Sequence, residues 1–201
     1  MKIYMTGSKA HSLSGFSLIE MLVVVLVFST VAVILSQIFV GFNRLQRKVS
    51  NAAVLGQDMR FAMEATIRSI RTVPLDYSAY TSGIPTRDNR LRLRKPTGEK
   101  IELYLVPGAT CGDASVTQCL ALTTDGGSTF QPITAKRVNV KNFDVYVRPD
   151  TNPFVLSGGS YPNNTQPFVT INLSLEYIAD NPRDKVTLQA QTTVATRLYQ
   201  R

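Results

Sequence analysis

Between Glu20 and Arg44 the chain carries no charged side chain, and Met21 to Asn43 is composed mostly of Val, Leu, Ile and Phe. A helix of roughly 20 such residues rises about 30 Å, the thickness of a bilayer's hydrocarbon core. Met21 to Phe42 meets that requirement, with Ser29, Thr30, Ser36 and Gln37 as its polar interruptions. The remaining sequence has the polarity of an ordinary soluble polypeptide. The organisation is therefore bipartite, a membrane-grade segment followed by one globular part, which suits a chain of 201 residues.

A secretory signal peptide is the plain alternative. Its apolar core runs to about 7–15 residues and a small-x-small cleavage site follows it; this run is longer and lacks such a site. Lys2 and Lys9 precede the run and hold the N-terminus on the cytoplasmic side by the positive-inside rule. Arg44, Arg47 and Lys48 follow it closely and pull the other way, so these charges alone leave the orientation open.

The formal net charge is +8, of which Lys2 and Lys9 supply two. Such a surface suits nucleic acid, anionic lipid or an acidic neighbour without choosing among them. The single histidine, His11, precedes the apolar run. A chain shortened past it has no histidine, which excludes a Ser-His-Asp triad, a Cys-His pair and a His-ligated metal. No acidic pair sits in a recognisable catalytic motif, so the expectation is a non-enzyme with no cofactor and no metal.

Glu20 is the anomaly of the apolar segment. A carboxylate carried deep into a membrane costs roughly 2.5–3.5 kcal/mol on insertion scales and normally has a partner. By itself it also reads as a solvated residue favoured by the helix dipole. Its setting is Gly15-Phe16-Ser17-Leu18-Ile19-Glu20, running directly into Met21-Leu22-Val23. A short basic leader, Gly, Phe, then Glu four residues beyond the Phe and a long apolar helix resembles the prepilin cleavage and methylation motif. That motif belongs to type IV pilins and type II secretion pseudopilins. The strict resemblance covers the leader and the helix, about a quarter of the chain.

The resemblance implies that a prepilin peptidase cuts after Gly15 and that Phe16 becomes an N-methylated terminus. It implies that Glu20 pairs with the terminal amine of an adjacent subunit during assembly. In an apolar core, carboxylate and ammonium each cost less as a hydrogen-bonded pair than alone. Inner-membrane residence before assembly, with the C-terminal domain periplasmic, is implied too, as are an assembly platform and other pilin subunits as partners and the pilus or cell surface as destination.

Helical periodicity continues beyond the apolar run. Leu45, Val49, Ala52, Met59, Met63, Ile67 and Ile70 recur mostly at three- or four-residue steps, with charges over much of the remaining surface. No proline interrupts Phe16 to Val73, and Pro74 supplies the stop. Gly41 and Gly56 are soft points in such a helix. Beyond Pro74, Arg90 to Arg94 and Ile101 to Leu105 alternate strictly, with turn chemistry in Pro96-Thr97-Gly98-Glu99. Cys119 to Thr124, Val138 to Arg148, Phe168 to Ile178 and Val186 to Leu198 are further strand candidates. Asp125-Gly126-Gly127 reads as a turn, and Asp150 to Pro167 as a long exposed loop.

The expected fold is α+β and type IV pilin-like: a long N-terminal helix packed on an antiparallel sheet. The expected divisions are a leader over 1–15, a membrane or filament-core half over 16–43, an amphipathic half over 44–73 and a β domain over 74–201.

Cys111 and Cys119 are the only cysteines, eight positions apart. Outside the cytoplasm they can form a disulfide worth roughly 2–3 kcal/mol, the alternative being two free thiols. Two thiolates without further Cys or His cannot close a zinc shell. Arg90, Arg92 and Arg94, with Lys95 beside them, could contact DNA phosphates, or serve as a solvated strand face or edge protection. Asn163-Asn164-Thr165 and Asn172-Leu173-Ser174 match the glycosylation pattern, which chance also produces. The reading is a minor pilin of a type IV pilus. Alternatives are a minor type II secretion pseudopilin, a DNA-uptake pilin and a signal-anchored enzyme.

Overall fold

The computed structural model describes residues 15–79, 87–112, 114–124, 129–156, 159–161 and 165–196. The leader bases, His11, the Asp125-Gly126-Gly127 turn, Asn163, Asn164, Arg197 and Leu198 lie outside them. The chain divides into two units, Met1–Leu45 and Gln46–Arg201.

One helix, α1 (Leu18–Thr72), contributes to both units and runs through Gly41 and Gly56 without a break. A Cβ placed at either glycine would meet nothing within 4 Å, so neither marks a close approach. In the first unit the helix surface is apolar and exposed from Leu18 to Phe42. It is the single helix among the described residues long and apolar enough to cross a membrane. Its hydroxyls are satisfied locally: Ser29 Oγ donates to Val25 O (2.7 Å), Thr30 Oγ1 to Val27 O (2.8 Å) and Ser36 Oγ to Ala32 O (2.8 Å). Such back-bonding leaves no hydroxyl donor needing water, as an apolar surrounding requires.

The second unit contains the C-terminal part of α1 and two antiparallel sheets. β1 (Arg90–Arg94), β2 (Lys100–Pro107), β3 (Gln118–Thr124) and β4 (Thr129–Pro132) lie side by side in that order. β5 (Val138–Arg148), β6 (Phe168–Tyr177) and β7 (Val186–Ala195) form the second sheet, also in chain order. The α+β class is thus the architecture observed. The β1–β2 hairpin closes where turn chemistry places it: Gly98 adopts φ 91° and its N–H donates to Lys95 O at 2.9 Å.

Leu55, Met59, Ala62, Met63, Thr66 and Ile70 of α1 are buried. The apolar ones among them share one core with Leu91, Leu93, Leu103 and Leu120 of the first sheet and Val145, Ile171, Leu173 and Leu175 of the second. Each fully buried Leu, Ile or Met contributes about 1.5–3 kcal/mol, so this face holds α1 on the sheets. The expected helix face needs correction at its N-terminal end. Leu45 and Val49 are about 60% exposed, while Leu55, Ala62 and Thr66 carry the burial instead. The buried row begins only where strands face the helix; periodicity marks a stripe but not where its cover starts. Thr66 fits because its hydroxyl donates to Ala62 O at 2.7 Å.

Two further differences have physical causes. β4 was not expected, because all four of its residues are exposed and no alternation marks it. β5 changes phase at a bulge between Val140 and Asn142. The extra residue lets Val138 and Val140, then Phe143, Val145 and Val147, all face the core.

Candidate functional site

Ser17 caps α1. Its Oγ accepts from Glu20 N at 3.3 Å, and its carbonyl accepts from Glu20 N at 3.1 Å and Met21 N at 3.2 Å. Serine followed three residues later by glutamate is a helix-start signature, so the cap was open to sequence inspection and was missed. Glu20 falls in the first turn, where the amide dipoles favour a negative charge. Its side chain is exposed and no ion pair engages it among the described residues. Phe16 is 76% exposed immediately before the helix. Among the described residues a Cβ added at Gly15 would meet nothing within 4 Å, so their packing places no demand for glycine there.

The three arginines of β1 project from the sheet face opposite Leu91 and Leu93, and each meets a carboxylate. Arg90 Nη1 lies 3.0 Å from Glu102 Oε2, Arg92 Nη1 2.6 Å from Asp88 Oδ2, and Arg94 Nη2 2.9 Å from Asp76 Oδ2. Lys95 pairs with Glu99 at 2.8 Å. Arg90 also stacks over Tyr104, 4.1 Å from the ring centroid, and Tyr104 meets Phe130 edge-on. The positive run visible in the sequence is therefore matched locally by acids from four other segments. That matching depends on pairing register (Arg92 opposite Glu102, Arg90 opposite Tyr104) and on the turns around it.

Cys111 and Cys119 are joined in a disulfide. Cys111 ends a 3-10 turn, Gly108–Cys111, after β2, and Gly112 follows it in the left-handed region at φ 78°. Cys119 lies in β3 beside Val106 and Ala121, with Tyr104 packed against them. The bond thus staples the β2–β3 connection to the outer face of the first sheet. Among the described residues no group of three or more His, Cys, Asp or Glu side chains is placed to hold a metal ion. Asn172 and Ser174, of the second glycosylation-like triplet, lie within central strand β6.

The sequence-derived residues fall into three separate places. Gly15, Phe16 and Glu20 lie at the helix start, the arginines on β1, and the cysteines beside β3. Comparison with known proteins adds no assignment: no family model, no curated protein and no solved structure matches the chain.

Proposed function

We propose that this chain is a structural, non-enzymatic subunit of the prepilin type. It is cut after Gly15 by a prepilin peptidase, held in the inner membrane by the apolar half of α1, and assembled as a minor subunit of a type IV pilus. The observation that carries the reading is the junction itself: Gly15 and Phe16 lie just before α1 and Glu20 in its first turn, ahead of an apolar stretch that is exposed among the described residues. Among the described residues nothing packs closely on Gly15, which fits a residue selected by a processing enzyme. An exposed Glu20 at a helix start, with no ion pair among the described residues, is available to a neighbour's terminal ammonium, and an apolar setting would strengthen that pair. Helix-first, sheet-second architecture supplies the rest of the family layout.

N-terminal analysis of the mature protein tests the reading. Phe16, N-methylated, is the expected first residue; a chain starting at Met1 or beyond Phe42 would remove the proposal. A minor type II secretion pseudopilin rests on the same junction. Recovery of the protein in sheared surface filaments supports the pilus, and loss of protein secretion on deletion supports the pseudopilin. The DNA-uptake reading draws on the β1 arginines and requires salt-dependent binding to DNA. Each of those arginines already has a carboxylate partner, which lowers the positive potential open to phosphates.

A further inference from the structure

We propose that a cleft beside Arg47 and Asn51 binds the headgroup of a phospholipid carrying a primary ammonium, of the phosphatidylethanolamine class. The cleft holds about 160 Å³ and is lined by Arg47 and Asn51 of α1, Arg137 just before β5, and Asp180 and Asp184 of the β6–β7 connection. All five belong to the unit Gln46–Arg201. Hydrogen bonds tie its walls together. Asn51 Nδ2 donates to Asp184 O at 3.2 Å, joining α1 to the connection, and Ile178 N donates to Arg137 O at 2.8 Å. Arg137 Nη2 lies 2.5 Å from Asp180 Oδ1, so these two charges answer each other.

Two charges of the lining have no ion pair among the described residues: Arg47, which is exposed, and Asp184, which is only 9% exposed. A carboxylate buried to that degree is costly unless a cation meets it. A ligand with both an anionic and a cationic group answers both residues. Its phosphate meets the Arg47 guanidinium and its ammonium meets Asp184. Inorganic phosphate or a purely anionic headgroup would set like charge against Asp184, and a choline ammonium has no N–H to donate. Lys48 and Arg183, exposed on the same two segments, add positive charge that suits the phosphates of surrounding lipids. Glu176, at the end of β6, is already met by Lys141 at 3.2 Å and Lys185 at 3.9 Å.

Chain connection selects a lipid as the source of that chemistry. Arg47 follows Phe42, the last residue of the apolar run, by five positions. In a helix that is a rise of about 7–8 Å, and the headgroup region of one leaflet is about 5–8 Å deep. A membrane that takes up the run as far as Phe42 therefore brings its headgroups to Arg47. The site rests on the reading of that run as a membrane anchor and not on cleavage after Gly15.

The test is native mass spectrometry of the full chain released from micelles that hold equal amounts of phosphatidylethanolamine, phosphatidylglycerol and phosphatidylcholine. Phosphatidylethanolamine should be retained about tenfold over either competitor. Asp184→Asn should abolish that preference, and Arg47→Ala should lower retention of the lipid about tenfold. Arg71→Ala, the same charge change in the last turn of α1, should do neither. Equal retention of the three lipids, preference for phosphatidylglycerol, or variants indistinguishable from the parent would overturn the proposal. Displacement by micromolar soluble phosphoethanolamine would overturn it too, assigning the cleft to a free phosphoester. Hydrogen-exchange protection of 178–185 that follows chain concentration instead of lipid content would assign it to a second copy, with the same result. Flotation with vesicles reads the anchor separately: a chain that floats without the lipid preference refutes the site alone, and one that does not float refutes both.

Discussion

Arg94 grips Asp76 with two nitrogens, Nε at 3.0 Å and Nη2 at 2.9 Å, tying the chain just beyond α1 to β1. Asp76 is 4% exposed, and Ser78 Oγ donates to its other oxygen at 2.5 Å. Burial alone would push the carboxyl up. Hydrogen bonds from Ser78 and Arg94, with the charges of Arg94 and Lys100, outweigh it and hold Asp76 below its ordinary 3.8. A depressed carboxylate stabilises the fold above its unfolded pKa, and that stability is lost as pH falls through the folded value. Arg94→Ala is expected to cost about 1–3 kcal/mol at neutral pH by leaving a buried carboxylate short of donors. Melting curves of the two proteins should converge below about pH 4; equal melting at pH 7 would show that the pair contributes nothing.

Asp58 behaves in the opposite sense. It lies on α1, and its Oδ2 accepts from Ala135 N at 2.9 Å. Burial raises its pKa more than that hydrogen bond lowers it. A raised carboxyl is a liability that grows as pH rises through the window above 3.8, where the unfolded chain ionises first. Asp58→Asn keeps an acceptor for Ala135 and removes the charge. Its melting temperature at pH 7 should match or exceed the parent's by roughly 1–2 °C, with the advantage gone near pH 3. A variant less stable at pH 7 would mean the charge itself is favourable.

Reducing the Cys111–Cys119 bond, or replacing both residues by Ala, should lower stability by roughly 2–3 kcal/mol on the chain-entropy account of so short a loop. Urea titration with and without reductant reads this directly. A smaller loss would mean that packing of Tyr104 and Val106 around the site holds the connection by itself.

Glu20→Ala should leave cleavage after Gly15 largely intact while blocking incorporation into filaments, since it removes the proposed counter-charge of a neighbour's N-terminus. Immunoblots of membrane and sheared-filament fractions separate the two steps. Normal filament incorporation would end the pairing hypothesis, and loss of cleavage would move Glu20 into recognition by the peptidase.

Leu55→Ala probes the helix–sheet contact that periodicity alone did not locate. Leu55 has no exposed surface, so truncation should cost about 2–5 kcal/mol. Val49→Ala, on the same helix but largely exposed, should change stability by less than about 0.5 kcal/mol. Denaturant midpoints of the two variants check the boundary of the buried face.

Much of the architecture was legible because it rests on local patterns. An uncharged run of apolar residues, a helical period that ends at Pro74, and strict alternation in β1 and β2 each follow from backbone geometry acting over a few neighbours. The exposed β4 and the bulge in β5 left no such pattern, since neither keeps one face apolar throughout.

Residue type and spacing by themselves determined a bipartite chain, a prepilin-like pattern of Gly15, Phe16 and Glu20 ahead of the apolar run, and two cysteines close enough to join. Tertiary structure decided what those groups meet. The β1 arginines, a plain positive stripe in one dimension, are answered by Asp76, Asp88 and Glu102, which lie 4 to 18 positions away along the chain. β7, an unremarkable alternating strand by sequence, became an edge of the second sheet whose outer side receives no backbone hydrogen bond among the described residues. Charge compensation and edge exposure are properties of neighbours in space, and only the folded chain specifies who those neighbours are.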